Sequence, residues 1–326
     1  MRKLPSEAQT LIQLAACIGT RFDLQTLAII HEQTMPDVAR NLWPAIQQGL
    51  LLQDGGDWHI GMIAPHNYLE IEPALAPNCR FLHDRMLQAA YQSLDKAQRQ
   101  HTHLTIGRLL KKHQESNNIS LQGTALFEIV EQLNEGRYLI TNNNERLELA
   151  KLNLQVAQLS KAASVWDNAL RCSKIAIDLL PNKAWKDMYD LTLALKLLRI
   201  ECEYLTVNQE TAERLAEEVL QKIQSNIVKA QLCDLLMRHT LSHGNLSYGT
   251  QKVIEGVGYC GIDVPSSDEA LLREIKCAQA QLTERLQTFS IADLEQRPLA
   301  TTPHIVISQQ LLSRLSHIAL ITKQIG

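Results

Sequence analysis

Cys79 and His83, with His101 and His103 a short way downstream, carry donor atoms of the kind zinc prefers. One cysteine and mixed spacing fall short of a closed four-ligand site, so no zinc centre is expected. His83-Asp84-Arg85 permutes the letters of a kinase catalytic loop without the downstream Asn, and Asp-Phe-Gly is absent. A Gly-x-x-x-x-Gly-Lys-Ser/Thr loop is absent too, so the chain has no complete phosphate cradle and is not expected to hydrolyse ATP unaided. Glu and His are scattered over helix faces, and periodicity brings no pair into one cleft for acid/base work. The chain is therefore expected not to be an enzyme and to carry no catalytic residue, metal site or cofactor of its own. Seven cysteines, an odd number without any Cys-x-x-Cys pair, sit mostly at apolar positions of helical patterns and read as buried, reduced thiols.

The elements that would hold these residues follow from composition and period. In 326 residues, 32 Lys+Arg against 35 Asp+Glu leave a net charge of −3, which argues against nucleic acid or an anionic membrane surface as partner. With 14 Gly, 10 Pro and aromatics at 5%, Leu, Ala, Gln and Ile dominate and favour helices. Met1-Arg2-Lys3 leads into Leu4-Pro5-Ser6-Glu7 rather than an apolar core, and no apolar run approaches membrane-spanning length; a cytoplasmic location is expected.

Residues 5–95 read as a small winged-helix domain. Ser6 stands at an N-cap position before Leu11, Ile12, Leu14, Ala15 and Ile18, and Gly19 suits the stop. Asp23 caps a second helix with Leu24, Leu27, Ala28 and Ile30 inward. Thr34-Met35-Pro36 opens a third, carrying Val38, Leu42, Trp43 and Ile46, which Pro44 should kink or interrupt. After Gly49 the period becomes extended: Leu50 to Gln53, a turn at Asp54-Gly55-Gly56-Asp57, then Trp58 to Ile63, read as a hairpin or wing. A Pro-containing loop over 64–78 precedes a short strand, Arg80-Phe81-Leu82, and a helix from about Asp84 to Leu94. Asp37 and Arg40 are the only charges on the third helix and Asp54 and Asp57 mark the wing tip, so the cations a DNA reader needs are missing.

The rest is helical. Residues 96–144 form a helical connector with patterns over 103–113 and 121–135 and breaks at Ser116-Asn117-Asn118 and Gly136. Residues 145–265 resemble tetratricopeptide (TPR) repeats: helix-pair ends near Pro181, Ser225 and Pro265 give a period of roughly 40 residues. The first such unit is Lys161–Leu170 running on to Pro181, and two looser copies follow, Trp185–Leu205 with Thr211–Ile223 and Val228–Ser242 with Tyr248–Tyr259, expected to stack as a solenoid whose surface binds a protein or peptide. Residues 266–326 form a further helical repeat, expected to be truncated because its apolar pattern is still in progress at Gly326 and the apolar surface of an uncapped solenoid would be exposed. The fold class expected is mainly α: a winged helix followed by a TPR-like solenoid.

Arg80-Phe81-Leu82-His83-Asp84-Arg85-Met86-Leu87-Gln88-Ala89-Ala90-Tyr91 resembles the segment that follows the AAA-type, STAND-class ATPase in bacterial and cyanobacterial multi-sensor serine/threonine kinase and sensor histidine kinase proteins. Ala15-Ala16-Cys17-Ile18-Gly19, Phe22-Asp23-Leu24, Ile106-Gly107-Arg108-Leu109-Leu110, Phe127 to Asn134 and Glu145 to Ala150 extend the likeness, whereas Met86-Leu87 and Pro44 depart from it. The resemblance implies a non-enzymatic regulatory and interaction module within a larger signalling kinase. Its winged helix would close on a nucleotide-binding ATPase domain absent from this chain, and ADP or ATP would bind only with that domain. The resemblance also makes His83 the candidate nucleotide-sensing residue, an imidazole reaching the β-phosphate of ADP; the competing role is capping its own helix. The alternative function is a free-standing winged-helix/TPR-like transcription regulator, which the missing basic residues disfavour.

Overall fold

The computed structural model describes residues 4–54, 78–243, 246–265, 267–288 and 299–323. It is mainly helical with one small sheet, and its contacts divide into two compact units: Met1–Ala162 with Lys174–Pro181, and Ala163–Ser173 with Asn182–Gly326. Among the described residues no helix is long and apolar enough to cross a membrane.

The first unit opens with α1 (Ser6–Ile18), β1 (Arg21–Asp23), α2 (Leu24–His31), α3 (Met35–Gln47), β2 (Leu51–Asp54), β3 (Asn78–Phe81) and α4 (Asp84–Gln92). The α1 cap falls on Pro5 rather than Ser6, and no side chain completes it. At α2 the Asp23 carboxylate accepts from the Thr26 N–H at 2.7 Å, as an N-cap acid should. Thr34 caps α3, which continues through Pro44 to Gln47 instead of breaking there. That proline falls in the last turn, where little ladder remains to lose. Beyond it, Gly49 takes a positive φ of 67°, a turn that suits a residue without Cβ.

β3 lies between β1 and β2, antiparallel to both, with Phe22 opposite Cys79 and Leu51 opposite Phe81. Cys79 and Phe81 alternate inward while Asn78 faces out. The strand facing β2 is thus distant in sequence; the Trp58–Ile63 segment expected there lies outside the described residues. Leu11, Ile12, Leu24, Leu27, Leu42, Leu51 and Phe81 form one buried core across helices and sheet, and Phe22 and Phe81 rings meet at 6.1 Å. Each fully buried leucine in it stabilises the fold by about 2 kcal/mol.

α5 (Lys96–Ser116) begins seven residues before the expected pattern because Asp95 and Gln98 form a reciprocal capping box. It packs on α2 and on α6 (Gly123–Glu135), so residues 96–144 belong to the same compact unit as 5–95. A Cβ on Gly136 would lie 2.6 Å from Leu104 Cβ and 2.8 Å from the Gln100 carbonyl oxygen, an approach only glycine allows. After a 3-10 turn (Arg137–Leu139), α7 (Asn143–Ala162) packs on α6.

α8 (Trp166–Leu179) begins in the second unit and ends in the first. The second unit continues with α9 (Ala184–Asp187), α10 (Tyr189–Leu205), α11 (Gln209–Leu220), α12 (Asn226–His243) and α13 (Leu246–Tyr259). Trp185 falls in α9 rather than opening α10, because Met188 leaves helical geometry between them. α10 pairs with α11 and α12 with α13. α14 (Asp268–Thr288) starts beside a Ser267 hydroxyl that accepts from the Ala270 N–H and is exposed from Leu271 to Gln287. α15 (Pro303–Lys323) lays Ile307, Leu311 and Ile318 on α12 and α13. Of the apolar surface expected at the end of the chain, Ile307, Leu311 and Ile318 of α15 are covered and its Ile305 and Leu312 are exposed, whereas the apolar residues of α14 from Leu271 to Leu286 are exposed.

Candidate functional site

His83 occupies the N-cap of α4, two residues past the end of β3, with φ −142° and ψ 143°. Its carbonyl oxygen starts the helix by accepting from the Met86 N–H at 2.9 Å. The imidazole makes no cap hydrogen bond and is exposed, so helix initiation here belongs to the backbone alone. An exposed imidazole at a helix N-terminus can donate to an anionic oxygen. The other sequence candidates are not gathered around it. Cys79 is fully buried in the central strand, His101 is exposed, His103 is buried, and no group of three metal-ligating side chains occurs among the described residues.

His103 instead lies in a chain of polar contacts that joins four helices of the first unit. Its Nδ1 is 2.7 Å from Gln132 Oε1, its Nε2 is 3.1 Å from the Tyr91 hydroxyl, and Gln132 Nε2 donates to the Cys17 carbonyl oxygen at 2.9 Å. Once the Gln132 amide donates to that carbonyl, its oxygen must accept, so Nδ1 carries the proton and Nε2 accepts from Tyr91. Every member is thereby satisfied, and α1, α4, α5 and α6 are tied through one directional relay. Arg99 lies over the Tyr91 ring at 4.9 Å. Burial pushes the Cys17 thiol up to about 11, against the pull of Arg99, so it stays neutral beside the relay. Sequence reasoning passed over Gln132; the only signal was a polar residue flanking the apolar stripe Leu126, Ile129, Val130 and Leu133.

On the α6–α7 contact, Asn134 and Asn153 are fully buried and exchange side-chain hydrogen bonds of 2.9 and 2.8 Å. Nearby, Glu145 accepts two hydrogen bonds from Arg108, at 2.7 and 2.8 Å, and Lys111 reaches Glu148 at 2.5 Å. These pairs cover a cavity of about 140 Å³ floored by Leu133, Ile140 and Leu149. They are partly exposed and contribute little each.

The second unit holds a buried lysine that the sequence did not flag. Lys252 of α13 is 4% exposed, 2.6 Å from Glu217 and 2.8 Å from Glu255. Burial opposes its charge, but the two glutamates outweigh burial and hold the ammonium above the usual lysine range. Burial likewise opposes the Glu255 carboxylate, and hydrogen bonds from Lys252 and Tyr259 overcome it and hold this group below its ordinary value. Tyr248 donates to Glu217 at 3.1 Å. Cys233, buried nearby, is raised to about 12 chiefly by desolvation. One ammonium faces two carboxylates here, and the thiol and hydroxyls beside them are held neutral, so the network presents no activated nucleophile.

The spacing Gly-x-Gly-x-x-Gly occurs at Gly256, Gly258 and Gly261. A dinucleotide loop joins a strand to a helix start, whereas these glycines end α13. A Cβ at Gly256 would meet Cys233 at 2.9 Å, and Gly261 turns the chain with φ 82°. Their roles are close packing and helix termination.

No protein-family model matches the chain, and no solved structure matches it. The chain is 25% identical to hybrid signal transduction histidine kinase G of Dictyostelium discoideum, in an alignment 264 residues long that covers 69% of the chain. The match spans 8% of that protein.

Proposed function

We propose that this chain is a regulatory and protein-interaction module of a signal-transduction kinase, cytoplasmic and without catalytic activity of its own. The 25% identity to a segment of a hybrid signal transduction histidine kinase carries this reading. The helix-and-sheet part of the first unit has the order α-β-α-α-β-β of a winged helix, with β3 central, and it would pack on a nucleotide-binding ATPase domain outside this chain. The helix pairs α10–α11 and α12–α13 act as TPR-like repeats that bind a protein or peptide. The Asp37–Arg40 pair at 2.8 Å leaves α3 no surplus positive charge for DNA, which weighs against the transcription-regulator alternative.

In this reading His83 is the nucleotide sensor, supported by its exposed imidazole at the head of α4. ADP or ATP is held by the ATPase domain, and His83 adds a donor to a phosphate oxygen. In the polypeptide that includes that domain, His83→Ala is expected to weaken ADP retention and raise basal kinase output with an unchanged melting temperature. Unaltered ADP affinity together with a lowered melting temperature would return His83 to a structural role. The isolated chain is expected to show no ATP turnover, and turnover abolished by a substitution within it would overturn the non-enzymatic reading.

A further inference from the structure

We infer that α14 is a self-association helix, which pairs antiparallel with α14 of a second copy of this chain. Leu271, Ile275, Ala278, Leu282 and Leu286 are spaced four, three, four and four residues apart, so at 100° per residue they fall within an arc of about 80°. The four large residues of this stripe, with Leu272 at its edge, are 38% to 58% exposed. α11 turns its apolar residues inward, and α13 and α15 seat Val253, Val257, Ile307, Leu311 and Ile318 in the core while leaving Ile254, Ile305 and Leu312 38% to 40% exposed, whereas α14 exposes every large residue of its stripe over just more than two heptads. An uninterrupted stripe of this length is costly to leave in water.

The pattern itself selects the occupant. Leu271 and Leu286 are equidistant from the midpoint between Ala278 and Gln279, and so are Ile275 and Leu282. Reversing one helix against the other therefore places Leu271 against Leu286 and Ile275 against Leu282, twice each, around a narrow centre where small Ala278 lets the backbones approach. Glu274 and Arg285 lie on the same flank of the stripe. An antiparallel pair sets that flank against its own copy and opposes Glu274 to Arg285 of the second copy at both ends. A parallel pair would lose this charge match and would align the two helix dipoles unfavourably. The helix carries both signs of charge, so no like-charge repulsion opposes the pairing.

The 326-residue chain is examined by analytical ultracentrifugation across a range of protein concentrations. A concentration-dependent monomer–dimer equilibrium is expected, and Ile275→Glu with Leu282→Glu should raise its dissociation constant at least about tenfold, since carboxylates would be forced into the apolar seam. Both positions are exposed in the single chain, so the double variant should keep its far-UV circular dichroism and melting temperature. Orientation is read by oxidative cross-linking in a Cys277→Ser background. Mixing Leu271→Cys with Leu286→Cys should give a disulfide between the two variants, and Leu271→Cys alone should give little. A chain that remains monomeric, a dimer indifferent to the double substitution, or efficient cross-linking of Leu271→Cys to itself would each overturn the inference.

Discussion

Gln132 illustrates how much one polar residue decides in the first unit. It satisfies the Cys17 carbonyl on α1 and sets the His103 tautomer on α5, which in turn gives Tyr91 on α4 an acceptor. Gln132→Leu strands a carbonyl oxygen and an imidazole N–H, at about 1 to 3 kcal/mol for each. Tyr91→Phe removes one donor at a half-buried edge and should cost about 1 kcal/mol. Urea unfolding that found the two variants equally stable would dissolve the relay as an energetic unit. Lys252 predicts a pH dependence. The Glu255 carboxyl, lowered from its ordinary 4.5, contributes stability above that pH and loses it as pH falls through the lowered folded value. Lys252, raised from 10.5, contributes below that pH and loses its contribution as pH rises through the raised folded value. Lys252→Met should shrink the acid-side loss of the second unit, followed as urea midpoints between pH 7 and 3; an undiminished loss would assign it to other carboxylates. Neither residue was legible in the sequence, since a buried Gln or Lys is written with the same letter as an exposed one.

At the scale of elements, helix positions were legible and helix ends less so. Apolar periodicity locates α2, α6, α10 and α13 because a helix buries a stripe whatever it packs against. The start of α5 moved because the Asp95–Gln98 capping box recruits a polar turn with no periodicity of its own. β1 was missed because three residues are too few to show alternation. One terminus carries measurable strain: Val207, after α10, has φ 64° and is 75% exposed. A β-branched residue is disfavoured there by about 1 to 2 kcal/mol, and its side chain gains little from packing in return. Val207→Gly should therefore raise the unfolding free energy by about 1 kcal/mol, despite the general cost of glycine in the unfolded state. A fall in thermal stability would mean that the valine makes compensating contacts.

Across the whole molecule, the cysteines report how completely the two units bury their interiors. Cys17, Cys79, Cys172, Cys202 and Cys233 are buried, Cys260 is half-buried and Cys277 is exposed, all as thiols. Alkylation of the native chain near pH 8 should modify Cys277 first and Cys260 slowly, with the other five reacting only on unfolding; early modification of Cys17 or Cys233, both held neutral by burial, would contradict the packing. The sequence by itself determined the helical class, the apolar faces, the place of His83 between strand and helix, and the shortage of cations on α3, because each depends on residues within a turn or two of one another. Tertiary structure decided what depends on distant residues: β2 pairing with β3, α5 joining the first unit, His103 and Lys252 becoming buried and satisfied, and the stripe on α14 being left bare while Ile307, Leu311 and Ile318 of α15 are covered. Local period says that a face is apolar; only the positions of the other helices say whether anything covers it.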